Sequence, residues 1–225
     1  MIAIGIIVST CLVFYLMTKL YQRFPTTFLL PILTTTTLTI TIILFFDIPY
    51  ETYMQGGEWL NKMLGPAVVA LAYPLYNQRE LIRKYRVAIL SSIVFALLSG
   101  LISVYVFTKL AGISTQWMLT ALPKSLTTPI AMQVSESIGG IPSLAAVLVM
   151  VAGFTGAILG PVIIKIGRID TAISRGVALG SASHGVGVSK LKDYGEKELS
   201  VGSLAMGMSA VIGAFVCPIF AYLIM

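Results

Sequence analysis

The run "GVALGSASHGVGVS", Gly176 to Ser189, carries no charge and holds the chain's one histidine, His184. It is shorter than the roughly 20 apolar residues that cross a bilayer as a helix. Gly176, Gly180, Gly185 and Gly187 weaken any regular helix through it. Arg175 and Lys190 close it on either side. Basic residues mark the cytoplasmic face of a membrane protein, so both ends belong on that face and the segment is expected to enter the membrane and return.

The rest of the chain justifies reading a membrane at all. Of 225 residues, 57% are hydrophobic and 11% charged, against roughly 25% charged in soluble domains, and the mean hydropathy is +0.93. Charged positions separate long uncharged runs: Met1 to Thr18, Phe24 to Phe46, Met63 to Gln78, Val87 to Thr108, Ser137 to Ile164 and Leu199 to Met225. Most reach the length of a spanning helix and the third is marginal. A chain in hydrocarbon must satisfy its own backbone, and no ten-residue alternation suggests a barrel, so the expected fold is an all-α multi-pass bundle of about six to eight membrane segments. We read one domain over residues 1–225.

The net charge of +6 does not point to nucleic acid, because the basic residues are divided among short loops. Lys19 and Arg23, Arg79 to Arg86, Lys165 to Arg175 and Lys190 to Lys197 fall in alternate loops, while Asp47, Glu51 and Glu58 share one whose single basic residue is Lys62 at its end. That pattern places the chain's start outside and the basic loops in the cytoplasm. Met1 to Thr18 reads as a first span rather than a signal peptide, since its positive charges follow the apolar run. Cys11 and Cys217, inside apolar runs, are expected to pack as small buried hydrophobes.

A second stretch also resists a continuous span: "LPKSLTTPIAMQVSESIGGIP", Leu122 to Pro142. Each proline removes a backbone donor and Gly139-Gly140 weakens what remains. The charge pattern sends this segment in from outside, opposite to the first. We therefore expect two broken segments, over 122–142 and 171–190. Opposed broken segments build the midplane site of inverted-repeat transporters, and "LGPAVVALAY" (Leu64 to Tyr73) faintly echoes "LGPVIIKIGR" (Leu159 to Arg168). Gly156, Gly160, Ser203, Gly207, Ser209 and Gly213 supply small-xxx-small spacings for close helix packing, and Asp193 with Glu196 reads as a capping box opening the last helix.

Polar residues at membrane depth are costly and mark function. Lys124 is the natural partner of an anion, beside the hydroxyls of Ser125, Thr127 and Thr128. Gly139 and Gly140 offer backbone donors. From the other segment come Ser181, Ser183, His184 and Gly185, the histidine being able to exchange a proton at cellular pH. Glu136, if buried, is a second candidate for a coupling proton. Enzyme chemistry lacks its parts: the one histidine has no acidic orienter nearby, and there is no nucleophile elbow, zinc signature or P-loop. No metal or cofactor is expected.

"PKSLTTPIAMQVSESIGGIPSLAAVLVMVAGFTGAILGP" (Pro123 to Pro161) and "RGVALGSASHGVGVSK" (Arg175 to Lys190) resemble the LrgB/CidB family of bacterial membrane proteins, a relative of the plastidal glycolate/glycerate translocator. "MLGPAVVALAYPLYNQRELIRK" (Met63 to Lys84) resembles a third block of that family. The resemblance implies a multi-pass protein of the bacterial cell membrane. It further implies holin- or antiholin-like control of murein hydrolases and lysis, with a small LrgA/CidA-type membrane partner. The plant member exchanges glycolate and glycerate, and bacterial relatives are linked to pyruvate uptake. Joined to the broken segments, this makes the leading expectation a proton-coupled secondary transporter of small monocarboxylates such as pyruvate, glycolate or glycerate. The alternative is the lysis regulator acting with its partner. Further copies of the same chain are a third class of expected neighbour.

Overall fold

The computed structural model describes residues 2–26, 29–70, 73, 76 and 79–225, and every described regular element is helical. The chain divides into two compact units, 1–67 and 68–225. In the first, α1 (Ile2–Arg23) packs against α2 (Pro31–Phe45) and α3 (Tyr50–Lys62). Gly56 makes the α1–α3 contact: a Cβ there would lie 2.7 Å from the Ile6 side chain. Tyr53 and Thr10 share a hydroxyl bond of 3.3 Å beside it. The second uncharged run yields only the 15 residues of α2, a rise of about 22 Å, which is short of a hydrocarbon core of roughly 30 Å. Pro31 explains the late start, because proline is suited to the first turn of a helix and not to its interior. A short helix α4 (Leu64–Ala70) follows. The remainder of the expected third span, and with it part of the faint repeat, falls largely outside the described residues.

The second unit contains α5 (Arg79–Leu110), α6 (Thr115–Ala121), α7 (Thr128–Ser137), α8 (Pro142–Ile166), α9 (Ala172–Ser189) and α10 (Glu196–Ile224). With α1, the helices α5, α8 and α10 are long and apolar enough to cross a membrane. Their buried sides are stripes at helical spacing, such as Ile89, Ile93, Leu97, Leu101 and Val104 on α5. Large apolar side chains on the opposite faces, Phe95, Val147 and Phe215 among them, are exposed, as a lipid-facing surface requires.

The two broken segments differ in construction. Leu122 to Pro142 follows α6 directly and forms a turn and then α7, whose N-cap is Thr127 and whose first turn holds Pro129. The chain then turns at Gly139 (φ +85°) and comes back to α6, where the Ile141 N–H donates to the Thr120 hydroxyl at 2.9 Å. In contrast to the expectation, the glycine-rich run around His184 is helical from Ala172 to Ser189, interrupted only at His184 (φ 41°, ψ −147°). The chain reverses there. A Cβ on Gly187 would meet the Ser183 side chain and lie 3.5 Å from the Leu179 carbonyl, and Leu191 lies against Gly202, which also faces Gly176. A straight helix would separate residues 179 and 187 by about 12 Å, so α9 is a helical hairpin with its tip at His184.

The glycines there serve close approach more than flexibility. Gly176 faces Val201 and Gly202, and Gly180 faces the Gly202 carbonyl and Ala205 of α10. Gly156 and Gly160 of α8 receive Ser183 and Leu179. At the hairpin's base Arg175 donates to the Ile169 carbonyl at 2.7 Å and lies 3.7 Å from Glu198 of α10. Asp193 does not form the expected capping box. It lies 3.9 Å from Lys190, and Gly195 is the N-cap of α10 without a side-chain bond. Of the two cysteines Cys217 is buried, as expected, whereas Cys11 is exposed.

Overpacking a helix contact costs about 1–3 kcal/mol. Gly180→Val is therefore expected to lower the thermal unfolding midpoint of the detergent-solubilised protein by several degrees, because its side chain meets α10 backbone. Gly5→Val, where nothing lies within 4 Å of the added carbon, should leave the midpoint unchanged; equal midpoints for the two variants would refute the close-approach reading.

Candidate functional site

α8 has 25 residues, a rise of about 37 Å, and Gly153 and Gly156 fall near its middle. The tip of α9 reaches this level. Ser183 packs on Gly156, and the His184 ring lies over Gly153, where a Cβ would come within 2.6 Å of it. The imidazole Nε2 is 2.6 Å from the Val149 carbonyl oxygen. A carbonyl only accepts, so Nε2 carries the proton and donates. A non-glycine residue at positive φ costs free energy, and this buried hydrogen bond offsets part of that cost.

Ser183 and Lys124 line one cavity of about 540 Å³, between α8 and the first half of α9. Its walls are apolar, with Leu148, Val151, Leu159, Ile163 and Leu179 prominent, and no carboxylate is among the lining residues. Lys124 makes no ion pair among the described residues; its Nζ donates to the Ser125 hydroxyl at 3.4 Å. Ser125 in turn sits beside Gly100 of α5, and Leu126 fills the space over Gly213 of α10. Thr127, the N-cap of α7, makes no capping bond, and its buried hydroxyl has no partner among the described residues. Thr128, half-buried, opens the helix. Lys124, Ser125, Thr127 and Thr128 thus cluster at the start of α7, where the helix dipole and free N–H groups favour negative charge.

The other expected site residues are placed elsewhere. Ser181 faces the opposite side of the hairpin and lines a second cavity of about 250 Å³ with Ser92 of α5; its hydroxyl donates to the Val177 carbonyl at 2.6 Å. Ala178 and Ala182 line both cavities, so the first half of α9 is the wall between them. His184 is buried against α8 and lines neither. Gly185 is exposed near Met206. Gly139 and Gly140 form the α7–α8 turn, where Gly140 packs on Thr120 and Ser135, away from the cavity lining. Glu136 is exposed, which removes the burial its coupling role required. Reading the sequence assigned Gly156 and Gly160 to packing alone; they also form the cavity floor. Thr155 was overlooked, although its place one turn from Val151 and Leu159 could have marked it. Among the described residues no cluster of His, Cys, Asp or Glu is set to hold a metal.

One cation and two hydroxyls, those of Ser183 and Thr155, in an otherwise apolar cleft suit an anion with an apolar body. The fold and this cleft define a multi-pass helical protein of the cell membrane. The chain belongs to the LrgB-like family, which matches residues 10–223. It is 48% identical to the uncharacterized protein YxaC of Bacillus subtilis (strain 168) over 99% of this chain and 96% of that protein. Identity to YwbG of the same strain is 37%, over 93% of each chain. The holin-like protein CidB of Staphylococcus aureus is 32% identical over 98% of this chain and 96% of its own length. No solved structure matches the chain.

The geometry at the hairpin tip makes a stability test specific. His184→Ala and His184→Gly both lose the bond to Val149, about 1 kcal/mol, but only glycine adopts the positive φ freely. The glycine variant is expected to unfold at a higher temperature than the alanine variant, by about 1 kcal/mol of stability, in thermal denaturation of the purified protein. An alanine variant as stable as the glycine variant would show the tip to be unstrained.

Proposed function

We propose that the protein is a holin-like regulator of the cell membrane, acting with a small LrgA/CidA-type membrane partner to control murein hydrolase activity and lysis. Kinship carries this reading: a relative that aligns over nearly the whole chain is named a holin-like protein, and the family spans the same residues. A bundle with lipid-facing clefts and small residues at its surface is the kind of body that can associate with other helices in the plane of the membrane. The reading predicts permeability to unrelated solutes with little saturation.

A second reading, a proton-coupled secondary carrier of small monocarboxylates such as pyruvate, glycolate or glycerate, is favoured by one observation. Lys124 from one broken segment and Ser183 from the other line the same cavity. In this reading the substrate carboxylate meets Lys124 and the start of α7, its short body lies against α8, and His184 is the remaining candidate for the coupling proton.

Proteoliposomes holding the purified protein, with and without an LrgA-type partner, separate the two. Release of a trapped neutral dye, unsaturable and unaffected by added acids, is the outcome expected of the holin-like regulator. Saturable uptake of labelled pyruvate, glycolate or glycerate without dye release would replace it with the carrier. In that case Lys124→Met should weaken uptake by about tenfold or more, the value of a charge-assisted hydrogen bond.

A further inference from the structure

The cavity beside Lys124 is longer than any two- or three-carbon acid needs. The α8 residues that line it run from Leu148 to Ile164 at steps of three and four, one helix face about 24 Å long. Its polar groups are few. Thr155 spends its hydroxyl on the Val151 carbonyl at 2.8 Å, which leaves Lys124 and Ser183. Lys124 is unpaired among the described residues and the lining offers no carboxylate, so an anion for it must come from outside the cleft. The outer lip is open: Val151, Leu159 and Ile163 are 55%, 48% and 57% exposed. The floor is low, because Gly156 and Gly160 carry no side chain to fill it.

From this geometry we infer that the cleft binds a single-chain amphipathic carboxylate, a fatty acid, with its head group on Lys124 and its acyl chain lying along α8. A fatty acid reaches the open lip from the bilayer without crossing water. Its tail exchanges lipid neighbours for apolar walls and gains little by that. Selectivity therefore resides in the pairing of carboxylate with ammonium in a low-dielectric cleft, where charge-assisted bonds are strong. The inference uses the cleft of the carrier reading but requires neither transport nor leakage.

The test uses full-length protein in nanodiscs of zwitterionic phosphatidylcholine and a photoreactive palmitate carrying a diazirine in its chain. The labelled peptides are located by mass spectrometry. Labelling is expected on the Leu148–Ile164 face of α8 and on Ala178–Ser183, displaced by palmitate but not by hexadecanol at the same mole fraction. Lys124→Met should reduce this labelling about tenfold, while Lys124→Arg, which keeps the charge, retains it. Ala182→Leu, on the exposed side of the wall, should block it without touching the lysine. Equal displacement by hexadecanol, unchanged labelling in a folded Lys124→Met protein, or displacement by phosphatidylglycerol as effective as that by palmitate would overturn the inference. Displacement by pyruvate alone would also overturn it, yet leave the carrier reading standing. Fatty-acid labelling in a protein that takes up no small acid would uphold it while that reading fails.

Discussion

The hairpin α9 lies against α8 because three glycines, Gly153, Gly156 and Gly160, remove the side chains that would keep the two helices apart. Inside a bilayer this contact cannot rest on the hydrophobic effect, since lipid tails are as apolar as leucine. It rests on van der Waals contact at short range and on the hydrogen bond from His184 to the Val149 carbonyl. The same logic repeats on the other side of the hairpin, where Gly176, Gly180 and Gly202 bring α9 against α10. A segment that enters the membrane and reverses leaves backbone groups at the turn, and these must be satisfied inside the protein. A tip buried between α8 and α10 meets that requirement.

The cleft follows from this contact. With α9 drawn onto α8 by Ser183 and His184 at its tip and by Leu179 on Gly160 below, a space lined by both helices stays open beside these contacts. Lys124 reaches it from the turn before α7. The site therefore combines elements that are far apart in sequence and owes its shape to missing side chains. Its chemistry is sparse: one ammonium and one free hydroxyl, with apolar walls elsewhere. Such a site can select an anion and an apolar body.

Kinship and geometry bear on different questions. The relatives speak to the role of the whole chain in the membrane, and the name of CidB weighs toward a holin-like regulator. The cleft speaks to what this chain can hold. A regulator of permeability that senses an amphipathic anion would join the two without requiring that the protein carry the anion across.

Much of this was legible before any coordinates. Composition and charge spacing alone identified the bundle and four of its long helices, because burying a charge or an unsatisfied backbone in lipid costs more than any local preference. Lys124 and Ser183 were legible too, as polar residues where hydrocarbon was expected. Tertiary structure decided the rest. Whether a glycine breaks a helix or admits a neighbour depends on what lies opposite, so Gly176 and Gly180 proved to be contact points within a helix. Ser181 and Ser183, two residues apart, point to different cavities because α9 is helical there, and Glu136 is exposed because α7 turns it outward. Sequence spacing records which residues share a helix face; which faces meet is set by packing between distant segments, and that alone separated the residues of the cleft from those that hold it open.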